Sequence, residues 1–138
     1  MIMNYNILLS IVLVCLPYEM EMKEKEISKM IEGITPDIVT LTTYKASENE
    51  TDSTPNITAS GFKIDIKNAK RHRIIAVSRD LKKKLKFGSK VRIEGAGKYS
   101  GTYVVKDVMN KRYKKRIDIL INADDKQTKL KKVKIYKL

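Results

Sequence analysis

Between Ile74 and Ile121 the chain carries three apolar runs, each with an aspartate at its end or inside it. Asp80 follows IIAVSR, Asp107 follows TYVVK, and Asp118 sits within RIDILI. A carboxylate beside β-branched residues is costly to bury unless it is paired or hydrogen-bonded. Three of them in a region crowded with Lys and Arg predict carboxylates held on a β framework. That requirement constrains the fold more than any other stretch does.

Ile38–Tyr44 (IVTLTTY) is a β-branched run and predicts a strand. Arg73–Ser78, Lys90–Glu94, Thr102–Lys106, Arg116–Ile121 and Val133–Tyr136 predict five more. RDLKKKLKFGS reads as a helical turn with Leu81 and Leu85 inward, and Gly95–Gly101 (GAGKYSG) as a hairpin turn. Ala123–Leu130 is read as a short helix. Six short strands at close spacing, with one or two short helices, predict a mainly β protein built as a compact barrel. The Gly-rich turn is too short and wrongly placed for a P-loop or dinucleotide fingerprint, which sets phosphate-nucleotide enzymes aside.

Two domains are expected: residues 1–37, an apolar segment and a charged connector helix, and residues 38–138, the barrel. Residues 7–16, ILLSIVLVCL, are too short to span a bilayer comfortably and match a signal-peptide core, with Cys15 in a degraded lipoprotein-like box. An alternative is a helix buried against another subunit. Pro17–Gly33 is read as a helix with Pro17 in its first turn, Gly33 as its stop, and an apolar stripe at Ile27, Met30, Ile31 and Ile34. Export or membrane association through residues 7–16 is the expectation.

Charge divides at the same place. Residues 1–38 hold three Lys against six acidic residues, whereas the remainder holds 26 basic against 10 acidic. Such a cationic domain implies a polyanionic partner: a cell-wall polymer, anionic lipid or nucleic acid. Lys outnumbers Arg 23 to 6, Trp is absent and only two Phe occur, which weakens the case for nucleic-acid readout. With Cys15 the only cysteine and His72 the only histidine, an intrachain disulfide and Cys₂ or Cys₂His₂ metal sites are excluded. No metal and no cofactor are expected, and His72 is read as a solvated surface residue.

The order of these signals resembles a known family. A strand ending in Tyr44, a loop closing with Thr58-Ala59-Ser60-Gly61, an IAVS strand meeting Asp80, an L-x-F-G-S-K-V-R-I segment, a G-x-Y-V-V-x-D strand at Asp107 and R-I-D at Asp118 occur together. The pattern is similar to the three-aspartate domain family, related to the double-psi β-barrels of membrane-bound lytic transglycosylase A and rare lipoprotein A. The resemblance covers residues 38–138. It implies a six-stranded double-psi barrel whose groove accepts a peptidoglycan strand. It also implies that Asp107 is the single catalytic acid/base, with Asp80 and Asp118 supporting it.

General-acid cleavage of a glycosidic bond needs a carboxylic acid beside the leaving oxygen, and Asp107 at the end of TYVV suits that task. Tyr44, Thr58, Ser60 and Tyr103 are expected to line the groove, and Lys111 and Arg112 to contact an anionic polymer. The alternative role for the aspartates is structural: Asp118 accepting backbone N–H groups and Asp80 capping the Leu81–Leu85 turn. The readings for the whole chain are an exported, envelope-directed lytic transglycosylase-like domain, alternatively a non-catalytic cell-wall-binding or structural module that includes a virion-associated phage particle component, and third a basic nucleic-acid-binding barrel.

Overall fold

The computed structural model describes residues 5–47 and 54–138, with side chains from residue 16 onward except Glu32. The chain divides into two units, Met1–Thr35 and Pro36–Leu138.

The first unit contains α1, Tyr5–Ile34. Pro17 does not begin this helix as the sequence predicts; it lies inside it. A proline there removes one i→i−4 bond but leaves the neighbouring turns to carry the helix through. The end falls at Ile34, one residue past Gly33, with the Thr35 N–H bonded to the Ile31 carbonyl at 2.8 Å. Ile27, Met30, Ile31 and Ile34 are all exposed. The backbone of residues 7–16 belongs to α1, but the side chains of 7–15, Cys15 included, lie outside the described residues. Among the described residues no helix is long and apolar enough to cross a membrane.

The second unit is a closed barrel of six strands: β1 Asp37–Lys45, β2 Ile74–Val77, β3 Lys90–Glu94, β4 Gly101–Val108, β5 Arg116–Ile121 and β6 Lys129–Lys137. The order around it is β1-β5-β2-β4-β3-β6. β1–β5 and β2–β4 are parallel and the other four pairings antiparallel. Exchanging β1 with β4, β2 with β5 and β3 with β6 reproduces both the order and the sense of every pairing, so the barrel has an internal two-fold topology. Two short 3₁₀ helices, Ile66–His72 and Gly97–Tyr99, complete it.

One local element departs from expectation and another follows it. Ala123–Leu130 forms no helix; a turn held by the Asn122 N–H on Asp125 Oδ2 (3.1 Å) leads directly into β6. Leu81–Leu85 makes one bonded turn, with the Leu85 N–H on the Leu81 carbonyl at 2.8 Å, and buries both leucines.

Two apolar clusters sit on opposite sides of the barrel wall. Leu41, Ile75, Val77, Val91, Ile93, Val105, Ile117, Val133 and Ile135 fill the interior. Tyr44, Ile64, Ala69, Ile74, Ala76, Met109 and Leu120 form an outer cluster beneath the long loop after β1. β2 is therefore buried on both faces, which explains why IIAV reads as a continuous apolar run rather than an alternating one.

Candidate functional site

Alternation along β4 sends Tyr103 and Val105 into the barrel, and strict continuation would send Asp107 there as well. A bulge prevents this. Ile75 pairs with Val105, but the next β2 residue, Ala76, pairs with Asp107, leaving Lys106 as an extra residue on β4. The inserted residue reverses the face of every later position on the strand. Asp107 thus lies beside Ala76 on the outer face, and Met109 joins the outer cluster.

Asp118 reaches that face by simple alternation, because Ile117 and Ile119 occupy the interior. It is the register partner of both Ala76 on β2 and Thr42 on β1. One row across four strands thus reads Thr42, Asp118, Ala76, Asp107. The small Ala76 side chain leaves an opening between two carboxylates whose Cα atoms are about 10 Å apart at ordinary strand spacing.

Tyr44 lies two residues beyond Thr42 on the same face. Its hydroxyl donates to Asp107 Oδ2 at 3.2 Å. Burial, then the charges of Asp107 and Asp118, then that hydrogen bond push the phenol far above its ordinary pKa. Tyr44 is therefore a fixed hydrogen-bond donor at any physiological pH. The other oxygen, Asp107 Oδ1, accepts the Ala59 N–H at 2.9 Å and the Val108 N–H at 2.9 Å.

The Ala59 contact explains the T-A-S-G loop. The Thr58 and Ser60 hydroxyls are 3.0 Å apart, Thr58 Oγ1 accepts the Phe62 N–H at 3.1 Å, and the Ser60 N–H bonds the Lys106 carbonyl at 3.2 Å. These bonds close the loop against the β4 bulge and aim the Ala59 amide at Asp107. Thr58 is buried, so its task is to shape the loop.

Around this row lies an open groove of about 1020 Å³. Its lining includes Thr42, Tyr44, Ala59, Asp107 and Asp118, together with the cationic and polar side chains of Arg79, Asn110, Arg112, Tyr113 and Arg116. Two guanidinium groups lie close to the Tyr113 ring, Arg116 at 4.5 Å and Arg112 at 4.8 Å from its centre. Arg112 also donates to the Tyr113 hydroxyl at 2.7 Å. Arg116 Nε is buried and has no hydrogen-bond partner among the described residues. An unsatisfied buried donor costs roughly 1–3 kcal/mol.

Asp80 stands apart from the groove. It accepts the Lys115 N–H at 2.9 Å, and Lys115 has a left-handed backbone with φ 45°. Desolvation tends to raise its pKa, but hydrogen bonds from Ser78 and the backbone, with the Lys114 charge, hold it below the usual carboxylate value. Asp80 thus fastens the end of the cationic 109–115 loop, a different contact from the expected cap on Leu81–Leu85. Tyr103 is also elsewhere: it is buried and its hydroxyl donates to the Tyr99 carbonyl at 2.8 Å. Lys111 is exposed and does not line the groove, whereas its neighbour Arg112 does. His72 is half-buried rather than solvated, accepting the Asp65 N–H at Nε2 (3.0 Å) and meeting Phe62 edge-on.

Sequence reasoning missed Ala59, Arg79, Tyr113 and Arg116. Arg116 was within reach, since residues 116 and 118 of one strand share a face. Ala59 was not, because a backbone amide has no sequence signature. Among the described residues no group of three or more His, Cys, Asp or Glu side chains is placed to hold a metal. No family model, curated protein or solved structure matches this chain.

Proposed function

We propose that the second unit is a cell-wall glycan-binding domain of the lytic transglycosylase type, with Asp107 as its acid/base. The observation that carries the reading is the β4 bulge, which turns Asp107 out of the barrel core into an open groove beside Tyr44 and the Ala59 amide. The internal two-fold of the barrel, with its two parallel pairs, supports the resemblance to double-psi barrels. Tyr44 and Ala59 hold the carboxyl in one orientation. Arg79, Arg112 and Arg116 supply donors for the hydroxyl and carboxylate groups of an anionic glycan.

In this reading the Asp107 carboxyl passes a proton to the glycosidic oxygen as the C–O bond breaks. The resulting carboxylate takes the proton of the sugar's own 6-hydroxyl, whose oxygen closes on the anomeric carbon. The products are a free 4-hydroxyl end and a 1,6-anhydro sugar, and no water is consumed. Residues 7–16 would then serve as the export or anchoring segment, placing the domain in the cell envelope.

The test is incubation of the full chain with purified murein and mass spectrometry of the soluble products. Anhydro-muropeptides from wild type and none from Asp107→Asn are expected; absence from wild type, or equal yield from the variant, refutes cleavage. A second reading, glycan binding without cleavage, rests on Val108-Met109-Asn110. Here the chain continues in β pairing (Val77 with Val108) and buries Met109 instead of opening a turn beside Asp107. Murein retention with no products from wild type selects that reading.

A further inference from the structure

A second pocket, of about 230 Å³, shares no lining residue with the groove. It is bounded by Lys70, Arg73 and Lys98, by Tyr99 and Tyr103, and by Asp125 in the turn after β5. Three cations face one carboxylate. Asp125 is already engaged, with Lys70 Nζ at 3.2 Å from Oδ1 and the Asn122 N–H on Oδ2. The Lys70 N–H in turn donates to Asn122 Oδ1 at 2.9 Å, tying the Ile66–His72 helix to the turn after β5. The pocket thus keeps a surplus of positive charge on a rigid frame.

Arg73 is the fixed element. Its backbone is left-handed, φ 52°, a conformation uncommon for a residue with a side chain and supported here by its position at the end of the 3₁₀ helix. Its Nε donates to the Thr102 carbonyl at 3.2 Å, and its guanidinium lies 4.0 Å above the Tyr103 ring. On one side it passes over Gly101, φ 131°, where a Cβ would come within 2.5 Å of a terminal nitrogen. Ring, carbonyl and glycine together hold the guanidinium in one place. Its terminal nitrogens have no hydrogen-bond partner among the described residues. A guanidinium immobilised before binding and presenting free paired N–H groups is suited to a tetrahedral oxyanion.

From this geometry we propose that the pocket is a phosphate site: Arg73 binds the oxyanion through its terminal N–H groups and Lys98 closes over it. The volume accommodates a phosphate group with a small substituent, not a polymer segment. The site is independent of the glycan reading, since none of its residues takes part in the groove.

The full chain is titrated by calorimetry with inorganic phosphate and, separately, with methyl phosphate, at constant ionic strength set by chloride. Saturable binding is expected, weakened about tenfold or more in Arg73→Gln and in Lys98→Gln, as loss of a charge-assisted hydrogen bond requires. Lys131→Gln, which removes the same charge from an exposed site on β6, leaves the affinity unchanged. Lys98 is exposed, so its variant folds and keeps the test valid if Arg73→Gln does not. Tighter binding of methyl phosphate identifies an ester as the ligand, and tighter binding of inorganic phosphate identifies the free ion. Non-saturable heats, affinities unaffected by both variants, or equal weakening by Lys131→Gln overturn the proposal.

Discussion

Tyr44→Phe isolates the electrostatics of the groove. The phenol is 6% exposed, donates to Asp107 and feels both Asp107 and Asp118. At neutral pH the variant loses one hydrogen bond to a charged group, which costs about 1.5 kcal/mol, the low end of the range because groove water can replace the donor. The alkaline limb carries the sharper test. An unfolded tyrosine ionises near pH 10.0, whereas the folded Tyr44 stays protonated well beyond that. Above this pH the folded state holds a proton that the unfolded state has released, so stability falls as pH rises. The contribution is complete below pH 10, and by pH 11 the wild type has lost about 1.4 kcal/mol through this one group. For a domain of roughly 100 residues that corresponds to ~6–11 °C in Tm. The many lysines titrate in both proteins and cancel in the difference. Thermal melts of wild type and variant from pH 8 to 11.5 should therefore show a gap that is constant to about pH 9.5 and then closes. Curves that remain parallel throughout would refute the account of Tyr44 as a phenol buried between two carboxylates.

Other perturbations test the frame around the site. Asp80 is held below its ordinary pKa, so its contribution is present above the unfolded value of 3.8 and is lost as pH falls through the folded one. Asp80→Asn should therefore show a shallower acid-unfolding limb than wild type below about pH 4. Thr58→Ala removes the acceptor for the Phe62 N–H and should cost about 1 kcal/mol in urea melts. Faster hydrogen exchange at the Ala59 amide, with β5 amides unchanged, is expected alongside it. Leu41→Ala, at a fully buried position in the barrel interior, should cost about 2–5 kcal/mol by the same melts.

The strands themselves were legible. β3 and β5 begin and end where the sequence predicts, and β1 and β2 differ by a residue or so, because β-branched and apolar patterning is a local property. β6 is longer than its apolar run and starts at Lys129, well before Val133. Its outer positions are Lys and its register shifts against β1, with Lys132 left-handed at φ 56°, so pairing rather than hydropathy sets its length. Pro17 misleads because a helix start and a proline inside a longer helix look alike in sequence.

A short-stranded β domain, a cationic surface and carboxylates beside apolar runs can all be read from the residues in order. Residue type, charge and alternation are carried by each segment alone. Where each carboxylate ends up depends on how the strands pair. Asp118 reaches the outer face by alternation, Asp107 by one extra residue on β4, and Asp80 is drawn off to the Lys115 amide. A bulge and a backbone hydrogen bond are properties of paired strands, and neither exists until the barrel closes.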